Sequence, residues 1–392
     1  MTFFADIKHF IKDSIGTIAY SFMCLFKINS KKVVFSNYWG YNGYTDSLKY
    51  ISLELKKIDD SLEMIWLVNN LNAEFPPYIK KIKYNSLKSF YHLATAKIWV
   101  DNQRKSYFIK KRKSQYYIQT WHGSVGFKRI ELDCLDSYNN KRYYLKSRRH
   151  DTSMIDLFLS GNDWFNQTIR RAFDYQKEIL TLGTPRNDIL VSENSDVDIQ
   201  NLKSKIGISS SKKILFYAPT FRKDETDMSN YLSDIDSFRN NLATQTNEDW
   251  IVLVRLHPRM MSLAKKIKYS ENVINVSTYS DIQELLLLSD ILVTDYSSCI
   301  FDFALQYKPG FIFATDLEDF RKDRNFYFDI ENSPFLIAQT ENELIQNIKA
   351  FNQAEYKTKL DNFFNSIGLK ETGTASKKVA EIIVNKITEN RK

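Results

Sequence analysis

The sequence is poor in cysteine, with only Cys24, Cys134 and Cys299 among its 392 residues. These three are widely spaced and form no CxxC pair, which excludes a disulfide framework and a Cys/His zinc site and favours a reducing compartment. Seven prolines and eleven glycines are too few for a collagen-like or low-complexity chain. The sequence therefore predicts an ordinary globular protein.

Several common functional motifs are missing. There is no GxGxxG element, no GxxxxGK[ST] element and no HExxH helix, which weighs against dinucleotide, P-loop nucleotide and zinc-peptidase sites. No pair of carboxylates in a DxD-like pattern suggests a catalytic metal. We therefore expect neither a cofactor nor a metal, and we expect cations and a helix start to neutralise any bound phosphate.

Long apolar runs are absent too. No stretch of about 18 or more uninterrupted apolar residues occurs, so nothing in the sequence predicts a membrane-spanning helix. The nearest candidate is residues 10–26, an apolar and aromatic segment that is followed by three lysines and by no small-residue cleavage site. This pattern fits a helix in a membrane interface and, equally, a buried N-terminal helix.

Hydrophobic residues make up 43% of the chain and aromatic residues 14%, which is enough for sizeable cores, and at roughly 150 residues per domain the length predicts two or three domains. The net charge of +8 is uneven, because residues 1–190 hold 30 basic and 18 acidic side chains. Residues 101–150 alone hold 13 basic and 4 acidic side chains. This field predicts a polyanionic partner or an anionic membrane surface, with a plain solvated face as the alternative.

Short β-rich runs alternate with helical patterns, which is typical of parallel α/β architecture. The predicted strands of a first series are 32–37, 63–68, 97–101, 115–120, 155–160 and 178–182, and those of a second are 213–219, 250–256, 273–276, 291–294 and 311–314. Helices are predicted near 45–57, 85–96, 163–173 and 355–389. We expect an N-terminal segment (1–30) and two Rossmann-like lobes with parallel sheets (31–195 and 196–392), with the site in the cleft between them.

Two of the five histidines, His122 and His257, directly follow predicted strands. An imidazole at a strand end can accept a proton or bind phosphate near neutral pH, and the plain alternative is a structural histidine that caps a loop. Arg255 lies two residues before His257, so the strand period predicts a shared face.

Phosphate-binding groups are predicted in three further segments. In residues 290–302, Ser297 and Ser298 follow a strand and begin a helix, which suits a diphosphate, although a plain N-cap has the same pattern. Thr220, Arg222 and Lys223 offer a hydroxyl and two cations at another strand exit. The turn-rich segment 183–188 contains Arg186 and either approaches the cleft or caps a helix.

Taken together, five motifs in order resemble the CDP-glycerol glycerophosphotransferase family, the primases and polymerases of wall teichoic acid. They are QTWHGSVGFKRIELD (119–133), GTPRND (183–188), YAPTFR (217–222), RLHP (255–258) and SDILVTDYSSCIFDFAL (289–305), with a weaker match at 43–47. The resemblance implies a GT-B-like pair of lobes. It also implies transfer of an alditol phosphate, with glycerol phosphate favoured, from a CDP-alditol to a hydroxyl of a lipid-linked saccharide or growing polymer at the cytoplasmic membrane face.

The resemblance also implies roles for individual residues. His122 corresponds to the general base and His257 to a histidine placed on the donor phosphate. The implied donor-binding residues are Thr220, Arg222, Arg255, Thr294, Asp295, Ser297, Ser298 and Asp302, and the implied acceptor-side residues are Asp46, Gly123, Ser124 and Arg186. Two alternatives stay open: a GT-B glycosyltransferase that uses a nucleotide sugar, and a non-catalytic basic module that binds membrane or nucleic acid. We expect no nucleic-acid partner.

Overall fold

The computed structural model describes residues 2–138, 140–193, 196–208, 211–222, 231–232, 234–257, 260, 264, 267–318 and 326–389. The chain forms two compact units. Unit 1 comprises Met1–Ser124, Ile130–Asp188 and Gly368–Lys392, and unit 2 comprises Val125–Arg129 and Ile189–Ile367.

The strands are β1 (Asn29–Ser36), β2 (Glu63–Val68), β3 (Ile79–Lys83), β4 (Ala96–Asp101), β5 (Tyr116–Gln119), β6 (Leu157–Ser160), β7 (Glu178–Thr181), β8 (Lys213–Tyr217), β9 (Trp250–Val254), β10 (Val273–Asn275), β11 (Ile291–Thr294), β12 (Gly310–Phe313) and β13 (Leu336–Ala338). The α-helices are α1 (Thr2–Met23), α2 (Asp46–Ile58), α3 (Leu87–Thr95), α4 (Lys141–Met154), α5 (Asp163–Ala172), α6 (Asp188–Val191), α7 (Asp196–Ile206), α8 (Ile235–Thr246), α9 (Ile282–Leu288), α10 (Cys299–Ala304), α11 (Glu341–Lys349), α12 (Gln353–Ile367) and α13 (Ala375–Thr388).

Each unit is built on one parallel sheet. The strand order is β3-β2-β1-β4-β5-β6-β7 in unit 1 and β10-β9-β8-β11-β12-β13 in unit 2. In each sheet the chain adds strands first to one side of its first strand and then to the other side. The switch lies between β1 and β4 in unit 1 and between β8 and β11 in unit 2. Loops diverge at such a switch point, so the carboxyl ends of these strands are where a doubly wound sheet forms its ligand site.

The sheet of unit 1 is buried on both faces, which explains the near-continuous apolar sequence of its central strands. Val34 of β1 packs with Trp99 and Tyr117 on the face that α1, α3 and α5 cover. Val33 and Phe35 point to the other face, where they belong to one core with α2 and α13. The sheet of unit 2 has its own core around Leu215, Val252 and Val293.

The sequence missed two strands, β3 and β13, and both are the outermost strands of their sheets. β3 reads IKKIK and β13 has only three residues. Edge strands are often short and charged because these features prevent pairing with another molecule, and the same features make them look like loops in a sequence.

The domain boundaries predicted for the C-terminal end differ from the structure. Residues 368–392 were expected in the second lobe, but they belong to unit 1. Helix α13 packs against α2, with Val379 and Ile383 in the same buried core as Leu48 and Ile51. The division also falls after Asp188 rather than after residue 195. The sequence-based division failed here because a contact between segments so far apart leaves no local pattern.

Candidate active site

In unit 1, the loop after β5 carries His122 to the carboxyl ends of the central strands. Its Nδ1 lies 2.9 Å from the backbone carbonyl oxygen of Asn102, the residue that follows β4. A carbonyl can only accept, so Nδ1 carries the proton and Nε2 carries the lone pair. The ring is held between Tyr38 and Trp121, with ring centroids 4.8 Å and 4.1 Å away. The structure therefore presents a half-buried imidazole with its tautomer set for proton acceptance.

Asn102 organises the groups around this histidine. Its side-chain amide donates to Asn37 Oδ1 at 2.7 Å and to Asp46 Oδ2 at 3.1 Å, while its oxygen accepts from the backbone N–H of Tyr38 at 3.0 Å. Asn37 follows β1, so the network joins the ends of the two strands at the switch point. Neither asparagine was predicted from the sequence. The available signal was a polar residue directly after each apolar strand.

Arg186 joins the same cluster from the 3₁₀ helix Pro185–Asn187. Its Nη1 donates to the backbone carbonyl of His122 at 2.5 Å and lies 3.6 Å from Asp46 Oδ2. Both Arg186 and Asp46 are buried. The structure thus brings together three of the sequence-predicted residues, His122, Asp46 and Arg186.

The protonation state of His122 follows from these neighbours. Burial is the largest influence and lowers its pKa below the ordinary value of 6.5. The Arg186 cation acts in the same direction, whereas the Asn102 carbonyl and the Asp46 carboxylate act against it. The imidazole is therefore neutral at pH 7, as a general base must be.

Backbone strain is concentrated here. Tyr38, Asp46 and Trp121 have positive φ angles of 45°, 63° and 52°. A left-handed conformation at a residue other than glycine costs roughly 1–3 kcal/mol and persists only where its surroundings impose it. Strain of this kind is common at functional sites, which agrees with the position of these residues around His122.

The predicted acceptor-side residues Gly123 and Ser124 follow His122 directly. Ser124 is hydrogen-bonded to other residues of unit 1. Its Oγ lies 2.9 Å from Thr184 Oγ1 and accepts from the backbone N–H of Gly161 at 3.2 Å, and its carbonyl accepts from Asn162 Nδ2 at 3.1 Å. These contacts of the hydroxyl and the carbonyl anchor the loop that carries His122.

In unit 2, Thr220, Arg222 and Asp295 meet beyond the ends of β8 and β11. The backbone N–H of Thr220 donates to both carboxylate oxygens of Asp295 at 3.0 Å. Arg222 donates from Nη1 to Asp295 at 2.8 Å and from Nε and Nη2 to Asp316 at 2.6 and 3.0 Å. The guanidinium that was predicted to bind phosphate therefore holds two carboxylates.

Asp316 and Tyr296, which the sequence did not predict as site residues, belong to the same network. The Tyr296 hydroxyl donates to Asp316 at 2.9 Å, and its ring centroid lies 5.0 Å from the Arg222 guanidinium. Asp316 comes shortly after β12, so an acid at a strand exit was the available signal. Arg222 also donates from Nη1 to the carbonyl and hydroxyl oxygens of Thr220 at 3.1 and 2.7 Å, so this network holds the loop around Thr220.

Four predicted donor residues lie on β11, on α10 or in the turn between these two elements. Ser297 and Ser298 are half-buried, and Ser298 makes no side-chain cap to its own helix. Thr294 is fully buried and donates to the carbonyl of Ala218 at 2.6 Å, and buried Asp302 accepts from Gln283 at 3.3 Å. The serine hydroxyls are therefore the groups of this motif that solvent reaches, whereas Thr294 and Asp302 stabilise the surrounding structure.

The sequence predicted that Arg255 and His257 share one face of a strand. Strand β9 ends at Val254, however, so both residues lie in the loop that follows it. Arg255 donates to the backbone carbonyl of Tyr279. His257 is exposed, and its ring centroid lies 5.7 Å from that of Phe221. Pro258 and Lys223 lie outside the described residues. Whether His122 and His257 face one cleft stays a prediction.

Within the described ranges, no group of three His, Cys, Asp or Glu side chains is arranged to hold a metal ion.

Some of the basic side chains of residues 101–150 are buried in ion pairs, so fewer of them face solvent than the sequence suggests. Arg104 is buried with Glu131 and Asp151 at 3.1 and 3.2 Å, and Lys105 is paired with Asp101. The exposed cations of this segment are Lys110, Lys113, Arg129, Lys141, Arg142, Lys146 and Arg149.

The chain is similar to known proteins both in sequence and in fold. Residues 18–385 match the family model described as CDP-Glycerol:Poly(glycerophosphate) glycerophosphotransferase. The chain is 32% identical over 374 residues to the teichoic acid poly(glycerol phosphate) polymerase of Staphylococcus epidermidis. The match covers 92% of this chain but 52% of the relative, so the chain spans about half the length of that protein.

Two solved structures of variants of the wall teichoic acid polymerase TagF are also similar, each 30% identical over 99% of this chain and 98% of that chain. Their TM-scores are 0.85 and, for a variant soaked with CDPG, 0.83. The prediction of a GT-B-like α/β fold with two Rossmann-like parallel sheets is therefore confirmed.

Proposed function

The chain belongs to the CDP-glycerol:poly(glycerophosphate) glycerophosphotransferase family, and on that premise we propose that it transfers glycerol phosphate from CDP-glycerol to a hydroxyl of a teichoic-acid-like polymer or its lipid-linked saccharide precursor, releasing CMP. The observation that carries the proposal is the His122 imidazole, which is neutral, is surrounded by residues with strained backbone and is fixed in one tautomer by the Asn102 carbonyl.

The chemistry assigned to unit 1 is general base catalysis. The acceptor hydroxyl gives its proton to His122 Nε2 as its oxygen attacks the phosphorus that carries glycerol. One oxygen–phosphorus bond forms, and the bond from that phosphorus to the CMP oxygen breaks in line with it. A well-placed base is worth about 10²- to 10⁴-fold in rate. During this step, Arg186 and Asp46 would keep the loop that carries His122 in place and would balance the charge of its imidazole.

The chemistry assigned to unit 2 is stabilisation of the donor diphosphate. Ser297 and Ser298 offer hydroxyls at a helix start, and His257 and Arg255 add a donor and a cation in the loop after β9. We propose that Asp295 and Arg222 fix the backbone of Thr220 beside them, because their ion pair is already complete within unit 2.

The test is to incubate the purified chain separately with CDP-glycerol and CDP-ribitol, together with candidate acceptors, and to measure CMP release. Phosphorus NMR of the product must show a phosphodiester, since a glycosyltransferase would form a glycosidic bond instead. We expect release from CDP-glycerol. Transfer of a sugar from a nucleotide sugar, with no CMP from either alditol donor, would contradict the proposal.

The matched variants are His122→Ala and His150→Ala. His150 lies in α4, bonds to the Ile109 carbonyl at 2.7 Å and has no assigned role in the reaction. We expect His122→Ala to lose at least about 100-fold in turnover while CDP-glycerol binding persists in a calorimetric titration. His150→Ala should keep wild-type turnover.

We also propose that the protein works as a peripheral protein at the cytoplasmic face of the cell membrane, held in part by α1. Among the described residues, no helix combines the length and apolar character needed to span a bilayer. Four apolar side chains of α1, Ile11, Ile15, Ile18 and Phe22, are each more than half exposed. At 3.6 residues per turn they fall within an arc of about 60°, so they form one stripe suited to a membrane interface.

A further inference from the structure

A pocket of about 480 Å³ lies in unit 1, away from the His122 site. Its wall comes from the beginnings of β1, β2 and β3 and from α3, whereas His122 follows the carboxyl end of β5. The residues that matter for its chemistry are Lys27, Lys32, Lys80, Lys88, Tyr91 and His92. Nothing in the proposed transfer reaction uses them.

The pocket is strongly cationic. Four ammonium groups line it together with the carboxylate of Glu63, whose Oε2 lies 3.6 Å from Lys32 Nζ. Lys32 is only 3% exposed, lies 5.0 Å from the Tyr91 ring centroid and donates to Thr95 Oγ1 at 3.0 Å. Burial lowers the pKa of this lysine. A buried ammonium among other cations is stabilised by a bound anion.

His92 supplies a second, independent sign of a ligand. The residue is 6% exposed, and its Nδ1 is buried without a hydrogen-bond partner among the described residues. Buried polar atoms are nearly always partnered in native proteins, so an orphan atom on a pocket wall indicates a missing ligand group or water. His92 lines the same pocket as the four lysines, so an anion bound there would lie beside this imidazole and the ammonium groups.

Exposed apolar side chains flank the lysines. Leu25 and Phe26 precede Lys27, and Leu87 precedes Lys88; all three are exposed. Phe26 packs edge-on against Tyr91 with ring centroids 5.3 Å apart, which brings the end of the α1 segment to the pocket wall. Apolar groups beside ammonium groups match a bilayer surface, where acyl chains and phosphates lie next to each other.

We propose that this pocket binds the headgroup phosphate of an anionic phospholipid, with Lys27, Lys80 and Lys88 at its mouth and Lys32 and His92 inside. This inference rests on the membrane association proposed above and adds a specific lipid site to it. The apolar rim favours a lipid over a soluble phosphate or a phosphate of the polymer product, because neither of those has acyl chains for Leu25, Phe26 and Leu87 to contact.

The test compares two double charge reversals in the full chain, Lys80→Glu/Lys88→Glu and Lys56→Glu/Lys57→Glu. The second pair lies on α2, which covers the opposite face of the sheet, and it changes the net charge equally. Binding to phosphatidylglycerol–phosphatidylcholine vesicles is measured by co-sedimentation. We expect the pocket variant to bind about tenfold or more weakly than the α2 variant.

Soluble probes separate the sources of phosphate. A short-chain phosphatidylglycerol below its micelle concentration should bind saturably to the wild type and shift the NMR signals of His92, and inorganic phosphate should do neither at the same concentration. Equal binding of inorganic phosphate, or equal vesicle binding by the two variants, would overturn the lipid site.

Membrane association and catalysis are scored separately. If the wild type does not bind vesicles at all, the membrane proposal fails and the lipid site fails with it. If the wild type binds vesicles and both variants bind equally, only the lipid site fails. CMP release with a soluble acceptor should be unchanged in Lys80→Glu/Lys88→Glu, because its lysines lie apart from the reacting groups.

Discussion

At the scale of single residues, the pKa of His122 is raised by the carboxylates of Asp46 and Glu131 and lowered by the Arg186 cation. Asp46 favours the protonated imidazole, and Arg186 disfavours it. The two lie 3.6 Å apart, so each also offsets the charge of the other. A histidine base held this way stays neutral to lower pH than a free one.

The pH profile of CMP release tests this balance. Activity should require neutral His122, so it should fall on the acid side with a midpoint below pH 6.5, the ordinary histidine value. Asp46→Asn removes a group that raises the pKa, so the acid limb should move to lower pH. Arg186→Gln removes a group that lowers the pKa, so the limb should move to higher pH. Midpoints that do not move in opposite directions would show that these residues do not set the charge of His122.

At the scale of single elements, α1 combines a packed face and an exposed face. Gly16 sits against the Phe108 ring so closely that an added Cβ would lie 2.6 Å from it, and Tyr20 is fully buried in the core of unit 1. The opposite face carries the apolar stripe. The helix is therefore fixed to unit 1 while part of its apolar surface remains in solvent, an arrangement that indicates a second apolar environment.

Replacing two stripe residues tests that role. Burying an isoleucine is worth about 1.5–3 kcal/mol, so Ile15→Glu/Ile18→Glu should reduce vesicle binding by about tenfold or more. The control is Ile58→Glu, an exposed isoleucine at the end of α2. The readout is co-sedimentation with anionic vesicles, alongside CMP release with a soluble acceptor. Wild-type vesicle binding by the double variant would exclude the stripe from membrane contact.

Helix α13 is another element whose position depends on one residue far away in the sequence. The carboxylate of Asp188 accepts from the backbone N–H groups of Ala375 at 3.0 Å and Ser376 at 2.7 Å, and also from the Ser376 hydroxyl. These N–H groups belong to the first turn of the helix, where the backbone offers no acceptor within the helix itself. The side chain of Thr374, the residue before the helix, does not cap them either. Asp188 therefore caps α13 from another part of the chain.

Removing this cap should loosen the terminal helix. We expect Asp188→Ala to lower the free energy of unfolding by about 1–3 kcal/mol, because buried N–H groups lose their acceptor. Urea unfolding followed by circular dichroism measures the change. Asp60→Ala, which removes a largely exposed carboxylate 3.9 Å from Lys56, should change the stability by less than about 1 kcal/mol. Equal stability of the two variants would contradict the capping role.

At the scale of the whole molecule, the cations are concentrated in the first half of the chain. Residues 1–190 hold 30 basic and 18 acidic side chains, whereas the later residues hold 25 and 29. Internal ion pairs neutralise some of the cations at 101–150, but Lys110, Lys113, Lys141 and Lys146 remain exposed. Such a distribution orients a protein toward a negative surface.

Salt should weaken this attraction. The Debye length falls to about 10 Å at 0.1 M salt, so raising the ionic strength above that value should reduce binding to phosphatidylglycerol-containing vesicles. Binding to pure phosphatidylcholine vesicles depends on the apolar groups alone and should change little. Co-sedimentation across a salt series measures both. Equal salt dependence on the two kinds of vesicle would argue against electrostatic attraction of the protein to the membrane.

The sequence alone determined the features that rest on local patterns. Apolar runs predicted the central strands of both sheets, because burial on both faces leaves a near-continuous apolar sequence. The end of such a run also predicted that His122 follows a strand. The edge strands β3 and β13 escaped for the opposite reason, since they lack that burial.

Only the tertiary structure decided which groups meet. It paired Arg222 with Asp295 and Asp316, brought Arg186 to His122, and joined Asp188 to a helix that begins 187 residues later. Contacts of this kind follow from the packing of whole elements rather than from sequence spacing, so a cation read as a phosphate ligand can belong to an internal ion pair. The energy of such a buried charge depends on its partner, and the partner is known only once the chain has folded.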